Sequence, residues 1–130
     1  MKIVFMGTPA FAAFFLESLL KTPHEIACVV TQPDRPAGRG RVLTPPPVKE
    51  VALAAGIPVL QPNDLKSEEF ENALREYQAD LFVVVAYSIL PKKILTLSRL
   101  GALNVHGSLL PKYRGAAPVQ RAIANGELQT

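Results

Sequence analysis

Cysteine is nearly missing from the chain, and no apolar run in it is long enough to cross a membrane. The only cysteine, Cys28, lies in the apolar segment 25–30, which excludes a disulfide framework and a cysteine metal site within the chain. We expect Cys28 to be a small buried hydrophobic residue. Gly7–Pro9 and then Glu17 interrupt the apolar N-terminal run, which argues against a signal-peptide core or a membrane span. We therefore expect a cytoplasmic protein with no membrane partner.

The chain also carries little net charge and shows no internal repeat. Its 130 residues, 48% of them hydrophobic, suffice for one domain with a real core. The formal net charge of +3 permits an anionic partner but cannot identify one, because the positions of the charges decide that.

Strand and helix patterns alternate along the sequence. Strands are predicted at 2–6, 25–32, 57–60, 81–86 and 102–106, and helices at 9–21, 48–55, 91–97 and 118–125, with one more after Ser67. Thr8 and Ser67 are expected to be N-caps. The unbroken apolar run 81–86 is typical of a central parallel strand. The pattern predicts a doubly wound, mostly parallel α/β sheet with helices on both faces, which binds ligands outside the carboxyl ends of its strands.

The first loop resembles a dinucleotide site only in part. Gly7 follows the first strand and Asp34 follows the second, where a ribose-binding acid would lie. No second or third glycine follows Gly7 to let the backbone approach a pyrophosphate. The sequence favours a role for Gly7 in the turn alone.

Asn104 and His106 are the main candidates for catalysis. Residues two apart on a strand point to the same face, so an amide and an imidazole are predicted side by side at a strand end, with Val105 facing into the core. Such a pair can handle protons and stabilise an oxyanion. The alternative is a turn-forming asparagine beside a histidine with a structural role.

The segment 33–47 is longer than the usual connection in a compact domain. Arg35, Arg39 and Arg41 concentrate positive charge among glycines and prolines. Guanidinium groups match phosphate geometry, which makes a nucleic-acid backbone a natural ligand. On composition alone, a solvated flexible loop is an equally good interpretation.

Four separated motifs resemble the N-terminal region of the methionyl-tRNA formyltransferase family. They are Phe5-Met6-Gly7-Thr8-Pro9, the segment from Thr31 to Gly40, Val83-Val84-Val85-Ala86-Tyr87, and the segment from Asn104 to Pro118. The resemblance covers essentially the whole chain. It implies a Rossmann-like formyltransferase fold and transfer of a formyl group from 10-formyltetrahydrofolate to the amino group of methionine on initiator tRNA.

The resemblance also implies roles for individual residues. Asn104 and His106 take the catalytic positions, and Arg35, Arg39 and Arg41 belong to the loop that binds tRNA. The implied contacts with the folate donor are Tyr87, Ser108, Leu109, Leu110 and Pro111. No metal is implied, and we expect the complete protein to be a monomer.

The chain departs from the family in two respects. Residues 1–130 correspond to the N-terminal part of the catalytic domain, and the family's catalytic aspartate and C-terminal tRNA-binding domain lie beyond Thr130. We therefore expect little or no turnover from the 130-residue chain alone. The segment 86–91 is one residue shorter than the usual family loop. Two alternatives stay open: a folate-dependent formyltransferase acting on an amino sugar or other small amine, and a non-catalytic nucleotide- or RNA-binding module.

Overall fold

A computed structural model describes residues 1–37 and 42–105 of the chain. Its strands are β1 Lys2–Gly7, β2 Glu25–Val30, β3 Arg35–Ala37, β4 Val42–Thr44, β5 Val59–Leu60, β6 Leu81–Val85 and β7 Ala102–Val105. Its helices are α1 Ala10–Leu20, α2 Pro47–Ala54, α3 Glu68–Tyr77 and α4 Lys92–Leu95. Strands and helices alternate as predicted, apart from the adjacent strands β3 and β4.

Five of these strands form one parallel sheet in the order β5-β2-β1-β6-β7. The chain runs outward from β1 through β2 to β5 on one side, and from β6 to β7 on the other. The switch point of this doubly wound sheet therefore lies between β1 and β6. All five residues of β6 are buried, which confirms the prediction of a central strand covered on both faces.

Helices cover both faces of the sheet. Alternate side chains along each strand point to opposite faces and therefore enter two separate apolar clusters, each of which includes helical residues. One cluster joins α1 and α2 to the face that carries Phe5 and Val83. The other joins α3 and α4 to the face that carries Met6 and Phe82. The rings of Phe5 and Phe15 stack with their centroids 6.4 Å apart. Two packed layers thus hold the carboxyl ends of the strands in place.

The two predicted helix caps have different outcomes. Ser67 is the N-cap of α3, and its hydroxyl accepts a hydrogen bond of 3.2 Å from the backbone N–H of Phe70. The prediction for Thr8 is wrong, because Pro9 is the N-cap of α1 and no side chain caps that helix. The Thr8 hydroxyl instead lies 3.4 Å from both the Thr31 hydroxyl and the backbone nitrogen of Gln32.

The sequence predicts a long loop over 33–47, but this segment contains an antiparallel ribbon. Strands β3 and β4 pair with Arg35 opposite Thr44 and Pro36 opposite Leu43. Each strand has three residues, and proline lacks the N–H needed for a full ladder. Such short strands show too little alternation to be recognised in a sequence.

Several predicted features lie outside the described residues: Arg39, Arg41, His106, the segment 108–111 and the helix predicted at 118–125. Other element ends differ by a few residues from the prediction. Strand β2 ends at Val30 and helix α4 at Leu95. Within residues 1–37 and 42–105, no helix has the length and hydrophobicity required for a membrane span.

Candidate active site

The first feature of the site is a close contact between two strand ends at the switch point. A Cβ atom added to Gly7 would lie 2.6 Å from the carbonyl oxygen of Val85 and 2.7 Å from the Cβ of Ala12. Only glycine fits there, so the ends of β1 and β6 approach closely while α1 packs against them. Gly7 therefore serves the packing of the turn, as the sequence favoured.

Asn104 lies at the carboxyl end of β7, opposite Val84 of the central strand β6. It shares a face with Ala102, and both Val84 and Ala102 belong to the cluster beneath α3 and α4. Asn104 itself is half-buried, whereas Val105 is 1% exposed and packs in the opposite cluster. The asparagine is thus placed at the sheet edge with its amide directed to one known face.

Tyr87 follows the neighbouring strand and packs against the same cluster as Ala102. Ala86 precedes it with a φ of +52°, an unusual conformation that redirects the chain at the end of β6. Burial raises the pKa of the Tyr87 phenol to about 12, so the hydroxyl stays protonated at neutral pH and can donate a hydrogen bond. Asn104 and Tyr87 therefore lie on the same face of the sheet at neighbouring strand ends, and each side chain carries a hydrogen-bond donor.

Gln32 connects several segments at this edge. Its Nε2 donates to the Ser88 hydroxyl at 2.9 Å, and its Oε1 accepts from Nη2 of Arg35 at 3.4 Å. Its backbone carbonyl accepts from Nε2 of Gln61 at 3.0 Å. The sequence gives no signal for the contacts with Ser88 and Gln61, because these partners lie 56 and 29 residues away along the chain.

Asp34 forms a second polar group at the base of the ribbon. Lys49 of α2 donates to both carboxylate oxygens at 3.0 and 3.2 Å, and Gln61 donates to one of them at 2.7 Å. The hydrogen bond from Gln61 and the pairing with Lys49 lower the pKa of the Asp34 carboxyl. This carboxylate is thus occupied by protein groups, which agrees with the weakness of the dinucleotide interpretation.

Of the three predicted phosphate-binding arginines, only Arg35 lies in the described part of the chain. It is exposed, begins β3 and keeps the contact with Gln32. Its position at the carboxyl edge places one guanidinium on the same edge as Asn104 and Tyr87.

A cleft of about 400 Å³ opens elsewhere, between the end of β5 and the first turn of α3, and contains none of the predicted site residues. No metal-binding cluster of histidine, cysteine or carboxylate side chains occurs among residues 1–37 and 42–105.

Sequence comparison identifies the class of protein to which this fold belongs. The profile of the formyl transferase family matches residues 1–130, and the chain belongs to this family. The curated relatives with high similarity bear a more particular name. The chain is 57% identical over 131 residues to a methionyl-tRNA formyltransferase of Moorella thermoacetica, and 59% identical over 128 residues to one of Desulfotalea psychrophila. These comparisons confirm the resemblance drawn from the four motifs.

The chain spans less than half the length of these two relatives. The alignments include 100% and 98% of this chain but only 42% and 40% of the Moorella and Desulfotalea proteins. Among solved structures, a phosphoribosylglycinamide formyltransferase from Anaplasma phagocytophilum matches with a TM-score of 0.57 and 25% identity, covering 97% of this chain and 59% of that chain. A Coxiella burnetii protein of the same name shares the fold, with a TM-score of 0.52 and 22% identity, over 97% of this chain and 60% of that chain. The Rossmann-like formyltransferase fold is thereby confirmed.

Proposed function

We propose that residues 1–130 form the N-terminal part of the catalytic domain of an enzyme that formylates methionyl initiator tRNA. The formyl donor would be 10-formyltetrahydrofolate. The observation that carries the proposal is the identity of 57–59% to methionyl-tRNA formyltransferases along essentially the whole chain. Identity to the phosphoribosylglycinamide enzyme, which is named for a small amine, is 25%. This difference favours the tRNA acceptor over a small amine.

The chemistry requires an oxyanion to be stabilised and a proton to be removed. The acceptor amine forms a bond to the formyl carbon, and the carbonyl oxygen gains negative charge in the tetrahedral intermediate. The carbon's bond to the folate nitrogen then breaks, and a proton from the amine has to reach the departing nitrogen. The reaction is a group transfer with no change of oxidation state.

Asn104 and His106 are proposed for these two tasks. The amide of Asn104 would donate to the developing oxyanion, since it lies half-buried at the end of β7 beside the central strand. His106 would take the amine proton and pass it on. Tyr87 and the segment Ser108–Pro111 would contact the folate, and Arg35, Arg39 and Arg41 would contact tRNA phosphates. No metal ion is needed in this scheme.

The test uses a chain extended beyond Thr130 to the length of the curated relatives, supplied with methionyl initiator tRNA and 10-formyltetrahydrofolate. Formylmethionyl-tRNA should form, whereas the 130-residue chain should show little or no turnover. His106→Ala should lower kcat by roughly 100- to 10,000-fold, the usual contribution of a positioned acid-base group. Asn104→Ala should lower it by roughly 100- to 1,000-fold, as expected for an oxyanion donor.

Matched controls are available in the same chain. His24 is exposed near the N-terminus, with Nδ1 2.9 Å from the terminal amine, and His24→Ala should retain activity. Asn72→Ala, on the exposed side of α3, is the control for Asn104. Full activity of His106→Ala would refute the catalytic assignment, and an extended chain that binds RNA without formylating it would favour the non-catalytic module.

A further inference from the structure

Gln32 makes contacts with four different segments at the carboxyl edge of the sheet. Its side chain bonds to Ser88 after β6 and to Arg35 of β3. Its backbone carbonyl accepts from Gln61 after β5, and its backbone nitrogen lies 3.4 Å from the Thr8 hydroxyl after β1. The backbone is therefore held by residues that follow β1 and β5, and the side chain bonds to Arg35, three residues along the chain, and to Ser88, 56 residues away.

The two side-chain contacts meet segments with different proposed tasks. Ser88 belongs to residues 86–90, which we name the donor loop because Tyr87 is a proposed folate contact. Arg35 begins β3, which with β4 forms the pair that we name the acceptor ribbon because of its proposed contact with tRNA. The side chain of Gln32 hydrogen-bonds to both of these segments.

The chemistry of an amide suits this position. A guanidinium group only donates hydrogen bonds, so the side-chain oxygen of Gln32 must face Arg35, and its NH₂ group then faces Ser88. A hydroxyl accepts as readily as it donates, and Ser88 can therefore receive this hydrogen bond. A lysine at position 32 would repel Arg35, and a leucine would make neither bond.

We propose that Gln32 is a positioning residue that joins the donor loop to the acceptor ribbon, so that occupation of one substrate site changes affinity at the other. The inference rests on the proposed function and adds a link between its two sites. Because the side-chain contacts are exposed hydrogen bonds, the link should be modest. Net values for single hydrogen bonds correspond to a change in affinity of about two- to tenfold.

The test measures the affinity of the extended protein for a reduced-folate analogue, with and without initiator tRNA. The ratio of the two dissociation constants is the coupling factor, which a merely structural role would leave unchanged. In the wild type it should differ from one by about two- to tenfold. Gln32→Leu should bring it close to one. Gln32→Glu should restore it, since the carboxylate accepts from Arg35 and the Ser88 hydroxyl can donate to it.

A second variant isolates one half of the link. Ser88→Ala removes only the contact with the donor loop and should also abolish coupling, and the double variant Gln32→Leu/Ser88→Ala should bind no more weakly than Gln32→Leu. Ser18→Ala, on the exposed side of α1, is the control and should leave the coupling factor unchanged. A wild-type factor of one, or a factor that survives Gln32→Leu, would overturn the proposal.

Hydrogen exchange separates failure of this inference from failure of the proposed function. Without substrates, Gln32→Leu should raise amide exchange both in residues 86–90 and in Asp34, Arg35 and Ala37. If the wild type transfers formyl groups but exchange rises in only one segment or in neither, Gln32 does not join them. If both segments respond but no formyl transfer occurs, the proposed function is wrong and the physical link is real.

Discussion

Gly7 and Val85 meet across the switch point of the sheet at a distance that leaves no room for a side chain on Gly7. The Cβ atom of any other residue would lie 2.6 Å from the Val85 carbonyl oxygen, which is a backbone atom and cannot rotate away. The contact brings the ends of β1 and β6 together, beside the strand that carries Asn104. The geometry of the candidate site therefore depends on a residue with no chemistry of its own.

Gly7→Ala should destabilise the protein, because the added methyl group also overlaps Ala12 at 2.7 Å. Overpacking of a dense core costs roughly 1–3 kcal/mol, and urea denaturation should show a loss in this range.

Gly56→Ala is the comparison. Gly56 has a φ of +73° and no atom within 4 Å of an added Cβ, so its cost of about 1–2 kcal/mol would come from backbone strain alone. Gly7→Ala should also reduce formyl transfer by the extended protein, whereas Gly56→Ala should not. Equal losses of transfer in both variants would contradict this account of Gly7.

Ser67→Ala should remove the N-cap of α3. The hydroxyl accepts from the Phe70 backbone N–H at 3.2 Å, and loss of a serine cap costs about 1 kcal/mol. Ser18→Ala is the matched control, because the exposed Ser18 hydroxyl bonds to the Phe14 carbonyl within α1 and caps nothing. Its effect on the free energy of unfolding should be below about 0.5 kcal/mol. Equal effects of the two variants would show that the Ser67 contact does not stabilise α3.

Local sequence predicted the parts of the fold that depend on local rules. The run 81–86 indicated a central strand because residues buried on both faces cannot alternate with polar ones, and β6 is buried throughout. Ser67 indicated a helix start because its hydroxyl caps a residue three positions away. Asn104 lies at the end of a strand, as predicted, and its catalytic role stays a prediction.

Features that depend on distant partners could not be predicted in this way. Thr8 resembles a cap in the sequence, but the hydroxyl of Thr31, 23 residues away, lies within 3.4 Å of it. Lys49 and Gln61 meet Asp34 across 15 and 27 residues. A single sequence shows neither pairing, because both follow from the order in which strands are placed in the sheet. The ribbon of β3 and β4 was missed because three residues are too few to show a period.

The buried thiol of Cys28 should make the protein less stable at alkaline pH. Burial raises its pKa from 9.0 to about 11, so the folded state retains a proton that the unfolded state loses in this range. The stabilisation is fully present below about pH 9 and is lost as the pH rises towards 11. A shift of this size corresponds to roughly 2–3 kcal/mol.

Urea denaturation between pH 8 and 11 should check this expectation, because this range includes the ordinary and the raised pKa of Cys28. The free energy of unfolding of the wild type should fall more steeply with pH than that of Cys28→Ala. The comparison concerns slopes, because the variant also loses packing and starts from a lower value. Parallel slopes would show that the thiol is not the group responsible.

The acceptor class can be decided by the salt dependence of binding. If Arg35, Arg39 and Arg41 contact tRNA phosphates, each contact releases about one counterion, and log K falls with log salt concentration by a slope of about 0.9 per contact. Arg35→Ala, Arg39→Ala and Arg41→Ala should each reduce the slope for initiator tRNA by about one. Arg35→Lys should preserve it, because the positive charge is kept.

Arg99→Ala is the control for these substitutions. Arg99 pairs with Asp80 at 3.1 Å, and Asp80 accepts from the backbone of Lys2, so both lie beside the starts of the strands, opposite the candidate site. This variant should therefore bind tRNA with an unchanged slope, although it removes the same charge from the protein. If Arg35→Ala, Arg39→Ala and Arg41→Ala all behaved like Arg99→Ala while formyl transfer to a small amine persisted, the acceptor would be the small amine. An equal reduction of the slope in all four alanine variants would instead indicate a general effect of net charge. A direct phosphate contact is lost only when the arginine that makes it is replaced.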